Sequence, residues 1–140
     1  MFTKLVYEPI RVFLLLVASL LITCSVALAQ GGGKAEALRI AFKPGTTSTT
    51  VTGKVHGSEE AEYVLAAKKG QRLTIKLTSL PRRSSVFDIK APGNADLGLE
   101  FDANYDFNRL LPATGDYMIT VVRPTSSPGT STYKLTITVR

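Results

Sequence analysis

Towards the end of the chain Tyr133, Leu135, Ile137 and Val139 alternate with Thr132, Lys134, Thr136 and Thr138. A strand points successive side chains to opposite faces, so this run predicts one apolar and one polar face. Leu73, Ile75 and Leu77 alternate in the same way with Arg72, Thr74, Lys76 and Thr78. Such a face pair suits a sheet that is half exposed to water. Short runs rich in Val, Ile, Thr, Tyr and Leu recur along the chain, parted by Gly, Pro, Asn and Ser clusters about every eight to twelve residues. No stretch sustains the 3.6-residue period of an amphipathic helix.

The pattern predicts strands near Leu38–Phe42, Thr49–Val55, Glu62–Ala67, Arg72–Thr78, Ser85–Lys90, Leu97–Phe101, Asn104–Leu110, Asp116–Val122 and Thr132–Val139. Lys69-Gly70 leaves few residues between two of them, which suits a tight hairpin. Pro44-Gly45 and Ala91-Pro92-Gly93-Asn94 mark turns, Pro112 closes one run, and Gly115-Asp116 opens the next. The expected fold is all-β: a single antiparallel two-sheet sandwich of about eight strands.

The first thirty residues break this pattern. Lys4 and Arg11 make a basic start, Val12 to Ile22 is an apolar run of about eleven residues, and Ala27-Leu28-Ala29 precedes Gln30. These are the three parts of a cleaved secretory signal. The run is shorter than the roughly 20 residues that a membrane-spanning helix needs. The expected organisation is a signal over residues 1–29, a flexible Gly-rich tether over 30–37, and a β-sandwich domain over 38–140. Periplasmic or secreted placement follows. Cys24 after Leu21-Ile22-Thr23 is similar to a lipobox, so a lipoprotein is the alternative, although the residue before such a cysteine is normally smaller than threonine.

The exported part then holds no cysteine, and its stability must come from packing rather than from disulfides. The whole chain carries 17 Lys+Arg against 11 Asp+Glu, for a net +6. Lys68-Lys69-Arg72 and Arg82-Arg83 are the densest basic groupings. Neither is interleaved with aromatics as a nucleic-acid surface is, which argues against a nucleic-acid partner. A generally basic, soluble surface is one reading; attraction to anionic envelope polymers or lipids is the other.

Candidate chemistry is sparse. His56 is the only histidine, it stands beside Gly57-Ser58, and no G-x-S-x-G elbow is present, so it reads as an exposed loop residue rather than a catalytic base. One histidine and no exported cysteine leave a zinc site to carboxylates almost alone, and no metal or other cofactor is expected. Asp102, Asn104, Asp106 and Asn108 fall at every second position, as at the start of a calcium loop. Phe107 stands where that motif needs glycine, and Ala113 where it needs a bidentate glutamate. A solvated strand face is the first reading and a weak cation site the second. Tyr63 and Tyr117 read as core or sheet-edge residues whose hydroxyls reach water. Arg82, Arg83 and Arg123 lie in or beside loops, where binding surfaces tend to sit.

Four stretches taken together carry a resemblance. They are Arg39-Ile40-Ala41-Phe42 with Pro44-Gly45-Thr46-Thr47-Ser48, Val51-Thr52-Gly53-Lys54-Val55-His56-Gly57, Tyr63-Val64-Leu65-Ala66-Ala67-Lys68-Lys69-Gly70-Gln71, and Leu111-Pro112-Ala113-Thr114-Gly115-Asp116-Tyr117-Met118-Ile119-Thr120-Val121. This resembles the bacterial periplasmic inhibitors of goose-type lysozyme and, more distantly, the pre-peptidase C-terminal β-sandwich domains, over essentially all of Arg39 to Arg140. The motifs A-x-x-G-Q and L-P-A-x-G-D-Y belong to the fold more than to any function. The resemblance implies a protein partner, a goose-type lysozyme, and no enzymatic activity. It implies contact through Tyr63, Arg123, Arg82 and Arg83. The connection after Arg123 reads Pro124-Thr125-Ser126-Ser127-Pro128-Gly129-Thr130, with one arginine where the inhibitors carry several. The alternative is a non-inhibitory envelope module that binds another protein or a glycan.

The signal generates a first prediction. Sequencing the N-terminus of the exported protein should give Gln30 as its first residue, in the soluble fraction. Recovery from membranes with a lipid on Cys24 would overturn that.

Overall fold

The computed structural model describes residues 36–99, 104–124 and 129–140. The expected signal, most of the tether, and Asp102 lie outside the described residues. Within them the chain forms eight strands: β1 (Leu38–Arg39), β2 (Ser48–His56), β3 (Ala61–Ala67), β4 (Arg72–Leu80), β5 (Val86–Lys90), β6 (Asp106–Leu110), β7 (Gly115–Val122) and β8 (Thr130–Val139). One sheet runs β1-β3-β7-β5 and the other β2-β8-β4-β6. All pairings are antiparallel except β1 with β3, which is parallel. No described helix is long and apolar enough to cross a membrane.

Period-two patterning builds the core as expected. Leu73, Ile75 and Leu77 of β4, and Tyr133, Leu135, Ile137 and Val139 of β8, are buried. They meet Tyr63, Leu65 and Ala67 of β3 and Tyr117, Ile119 and Val121 of β7 in one cluster. The opposite side of the second sheet stays wet and lines up in rows. Ser48, Thr138, Thr74 and Asn108 stand level across four strands, and Thr50, Thr136, Lys76 and Asp106 stand level in the next row.

Four readings of the sequence need correction. The turn at Lys69-Gly70 does not close a hairpin, because β3 and β4 belong to different sheets. Its polar groups are taken elsewhere: the Lys68 amide donates to Gln71 Oε1 at 2.7 Å, and Gly70 N to the Leu111 carbonyl at 2.9 Å. Gly70, at φ +84°, turns the chain across the core in a conformation that favours glycine. The expected strand at Leu97–Phe101 is absent over its described part. Gly98 lies at φ +62° and its amide donates to Asp96 Oδ1 at 2.7 Å, a side-chain turn that competes with a ladder. Leu97 is buried all the same, from a loop. The first strand shrinks to two residues before the Pro44-Gly45 turn. Finally, the tyrosine hydroxyls are held inside. Tyr117 donates to the Ala113 carbonyl at 2.6 Å, and Tyr63 meets Tyr133 hydroxyl to hydroxyl at 2.6 Å.

Ile75 is fully buried and stands level with Ile137 and Phe107. Ile75→Asp would bury an unpaired charge, a cost of several kcal/mol that rivals the stability of a domain this small. Far-ultraviolet circular dichroism should report loss of the sheet signal in this variant. A folded Ile75→Asp protein would mean that this face is not the core.

Candidate functional site

The register brings several chain connections to one end of the sandwich. His56 stands level with Thr130, Leu80 with Thr132, Ala61 with Val121, and Val86 with Val122. The β2–β3 turn, the β4–β5 connection and the β7–β8 connection therefore leave from that same end. Arg82 and Arg83 ride on the second of these, and Arg123 opens the third. The structure thus gathers the three arginines that the sequence singles out.

Serines fasten the β4–β5 connection. Ser84 N and Ser85 N donate to Ser79 Oγ at 3.0 and 3.3 Å. Ser84 Oγ donates to the Pro81 carbonyl at 2.6 Å. Ser131 Oγ, on the buried side of β8, lies 2.5 Å from Ser84 Oγ and 2.6 Å from Ser85 Oγ. Ser85 and Ser131 are fully buried, so these hydroxyls satisfy one another away from water. The sequence reading missed this cluster. Its signal was present, since Ser131 occupies an inward register position among Tyr133, Leu135, Ile137 and Val139.

Above this anchor Arg82 and Arg83 are exposed. Arg83 sits at φ +58°, a left-handed conformation uncommon for a residue with a side chain. Its guanidinium carbon lies 5.4 Å from the centroid of the Tyr105 ring, within cation–π range. Arg123 is held differently. It is partly buried, and its Nε is enclosed with no hydrogen-bond partner among the described residues. Its outer nitrogen lies beside Gly129.

His56 ends β2 rather than standing in a loop, and it is exposed. Its Nδ1 lies 3.0 Å from Thr130 Oγ1, and its backbone N donates to Glu59 Oε2 at 3.0 Å. Thr130 and Ser131 are adjacent in β8, so their side chains point to opposite faces of the sheet. The imidazole therefore faces away from the serine cluster, and the two form no nucleophile–base pair. Among the described residues no three His, Cys, Asp or Glu side chains converge as metal ligands would.

Tyr63 is placed apart from the arginines. It lies on the inward face of β3, 5% exposed, with its hydroxyl committed to Tyr133. Burial first, and then the hydrogen bond with Tyr63, push the Tyr133 phenol above its ordinary value of 10.0.

The fold and this end define the class: a two-sheet β-sandwich with a loop end that carries arginines on a buried hydroxyl anchor. No protein-family model matches the sequence, and a search of curated proteins by sequence returns no match. Solved structures do match. The chain is similar to PliG of Aeromonas hydrophila, a periplasmic lysozyme inhibitor of g-type lysozyme, at 25% identity and TM-score 0.64 over 74% of this chain and 96% of that one. PliG of Salmonella Typhimurium matches at 22% identity and TM-score 0.60, over 75% and 98%. The pre-peptidase C-terminal domain of a Bacillus anthracis collagenase matches at 18% and 0.52, over 79% and 100%. The last two likenesses show the fold. Together with the Aeromonas hydrophila likeness they bear out the resemblance read from the A-x-x-G-Q and L-P-A-x-G-D-Y motifs.

The tyrosine pair generates a prediction with a definite sign. A phenol whose pKa is raised by folding contributes stability that is complete below its unfolded value, near pH 10, and is lost as pH rises through the folded value. The melting temperature should therefore fall above pH 10. Tyr133→Phe leaves the Tyr63 hydroxyl without its partner, at a cost of about 1–3 kcal/mol at neutral pH. It also removes the group that titrates, so the gap between variant and parent should narrow from pH 9 to pH 11.5. A constant gap across melts in that range would refute the coupling.

Proposed function

We propose that the protein is an exported inhibitor of goose-type lysozyme that acts by inserting its arginine-bearing loop end into the enzyme's cleft. The observation that carries this reading is the match to the Aeromonas hydrophila inhibitor over 96% of that chain. The end that carries Arg82, Arg83 and Arg123 supports it. A glycoside-cleaving site depends on carboxyl groups at its scissile bond and is therefore a negatively charged pocket. Arginine meets a carboxylate with two parallel hydrogen bonds, and it is among the residues that dominate interface energetics. The domain itself works without catalysis. Residues 1–29 deliver it to the compartment in which such enzymes attack the wall.

The three arginines contribute unequally. Arg123 is partly buried and packed, so little side-chain freedom is lost when it contacts a partner. Arg82 and Arg83 are exposed on a loop, where a charge acts mostly on the rate of encounter. Tyr63 supports the end from within the core rather than touching the enzyme through its ring.

The test is a titration into a goose-type lysozyme, with the turbidity of a cell-wall suspension as the readout. The protein should inhibit. Arg123→Ala should weaken inhibition at least tenfold, about 1.4 kcal/mol or more, with the melting temperature held within about 3 °C. Arg82→Ala should cost less and slow association. Absence of inhibition well above micromolar concentration would exclude the reading. Inhibition that survives Arg123→Ala unchanged would keep the function and discard Arg123 as its anchor.

A further inference from the structure

The two outer faces of the sandwich differ in charge. On the first sheet, the outward positions hold Glu62, Asp88 and Asp116 with Arg39 and Lys90, and Arg39 is paired to Asp116 at 2.8 Å. On the second sheet, the outward positions hold Lys54, Lys76, Lys134, Arg72 and Arg140 against the one carboxylate of Asp106. The excess of positive charge is therefore concentrated on one face.

Its arrangement is ordered. Lys54 stands level with Thr132, and Lys134 two residues further along β8 is its diagonal neighbour. Lys134 stands level with Thr78, and Lys76 is the next diagonal neighbour on β4. Diagonal neighbours across antiparallel strands lie about 7–8 Å apart, so three ammonium groups cross three strands as a stripe. Arg72 and Arg140 lie side by side beyond it, their backbones exchanging hydrogen bonds at 2.7 and 3.1 Å. They line a shallow depression with Thr74, Asn108 and Thr138. Between the cations stand rows of exposed or half-exposed threonine hydroxyls, each both donor and acceptor.

We infer that this face is a binding site for an acidic polysaccharide, a chain of sugars that bears carboxylates. Charge complementarity sets the sign, and the hydroxyl rows match a ligand whose own surface is hydroxyls. The other classes of polyanion fit less well. Nucleic acid bound as single strands stacks on successive aromatic rings, and the imidazole of His56, at the edge of β2, is the one aromatic ring at an outward strand position of this face. A lipid surface is entered by apolar side chains. Leu80, level with Lys54 through Thr132, and Leu110, level with Arg72, are exposed at opposite ends of this face, with threonines and the lysine stripe between them rather than one apolar patch. Stable protein partners select aromatic and apolar centres and are poor in lysine. This inference stands apart from the lysozyme reading, because it uses the face of the second sheet and not the loop end.

The test uses the purified protein and polygalacturonate as probe, followed by calorimetry, with neutral dextran and phosphatidylglycerol vesicles in parallel. Polygalacturonate should bind, dextran should not, and binding should weaken as salt is raised from about 0.05 to about 0.5 M because exposed charges are screened. Lys76→Glu with Lys134→Glu should weaken binding at least tenfold without changing inhibition of lysozyme. Should that pair lower the melting temperature, Lys134→Gln alone should still cost several-fold. Failure of the parent to bind polygalacturonate, equal binding by the variants, or tighter binding to the vesicles would each overturn the inference.

Discussion

Two sheets in a sandwich share no ladder hydrogen bonds, so the strands alone do not fix how one layer sits on the other. No cysteine is available among residues 36–140 to do it. Here two turns lock together at the end opposite the arginines. The turn that carries Gly70 passes from the first sheet to the second, and the turn over Leu111 to Gly115 passes back. Gly70 N donates to the Leu111 carbonyl at 2.9 Å, Leu111 N to the Gln71 carbonyl at 2.8 Å, and Lys69 N to Thr114 Oγ1 at 3.0 Å. Tyr117 then ties the second turn to the core, accepting from Ala113 N and donating to its carbonyl. That is the logic of a tyrosine corner, in which a buried ring reaches back to the backbone of its own connection. Gly115, at φ +148°, is required there twice over, since a side chain would also strike Pro92.

Fixing one end leaves the other free to vary. Its β4–β5 loop takes its bearings from the buried hydroxyls of Ser85 and Ser131, and Gly57 N donates to the Gly129 carbonyl at 3.2 Å to join the other two connections. Hydroxyl clusters direct without adding bulk, so the residues above them are under little packing constraint. A left-handed Arg83 leaning on the Tyr105 ring is tolerated because the serines below it hold the connection. The division between a scaffold end and a presenting end is how one sandwich hosts unrelated functions. It also explains why the strongest motifs lie far from the arginines.

Much of the fold was legible because period-two patterning is strong. Leu73 to Leu77 and Tyr133 to Val139 read directly as buried faces. The errors fall where local chemistry competes with pattern. The Lys69-Gly70 spacing is that of a hairpin, yet the amides that would close one are claimed by Leu111 and Thr114, more than forty residues away. Long-range partners of that kind leave no mark in a short window. Asp96 likewise diverts the backbone at Gly98 by a side-chain hydrogen bond that spans two residues. At the candidate site the arginines were legible by type and loop position, but their convergence was not. Convergence depends on register, such as Val86 level with Val122, and register is a property of the sheets.

Charge was the least legible property, and for a related reason. Counted along the chain, the basic residues look scattered, with Lys68-Lys69 and Arg82-Arg83 as their densest groups. Folded, Lys54, Lys134 and Lys76 become diagonal neighbours although they lie far apart in sequence. Strand alternation sorts them outward, and pairing sets them side by side. Lys76 also stands level with Asp106, which offsets part of the repulsion that such a stripe creates. The first sheet needs no such arrangement, because Arg39 and Asp116 pair there and the Arg39 hydrogen bonds hold the Asp116 carboxyl below its usual range. Both groups are exposed, so that pair settles local charge more than stability. What stays unbalanced is a flat face of cations and hydroxyls. Its strands are tied into the core through Leu73, Ile75, Leu135 and Ile137, so the charges are held in fixed register on a rigid support.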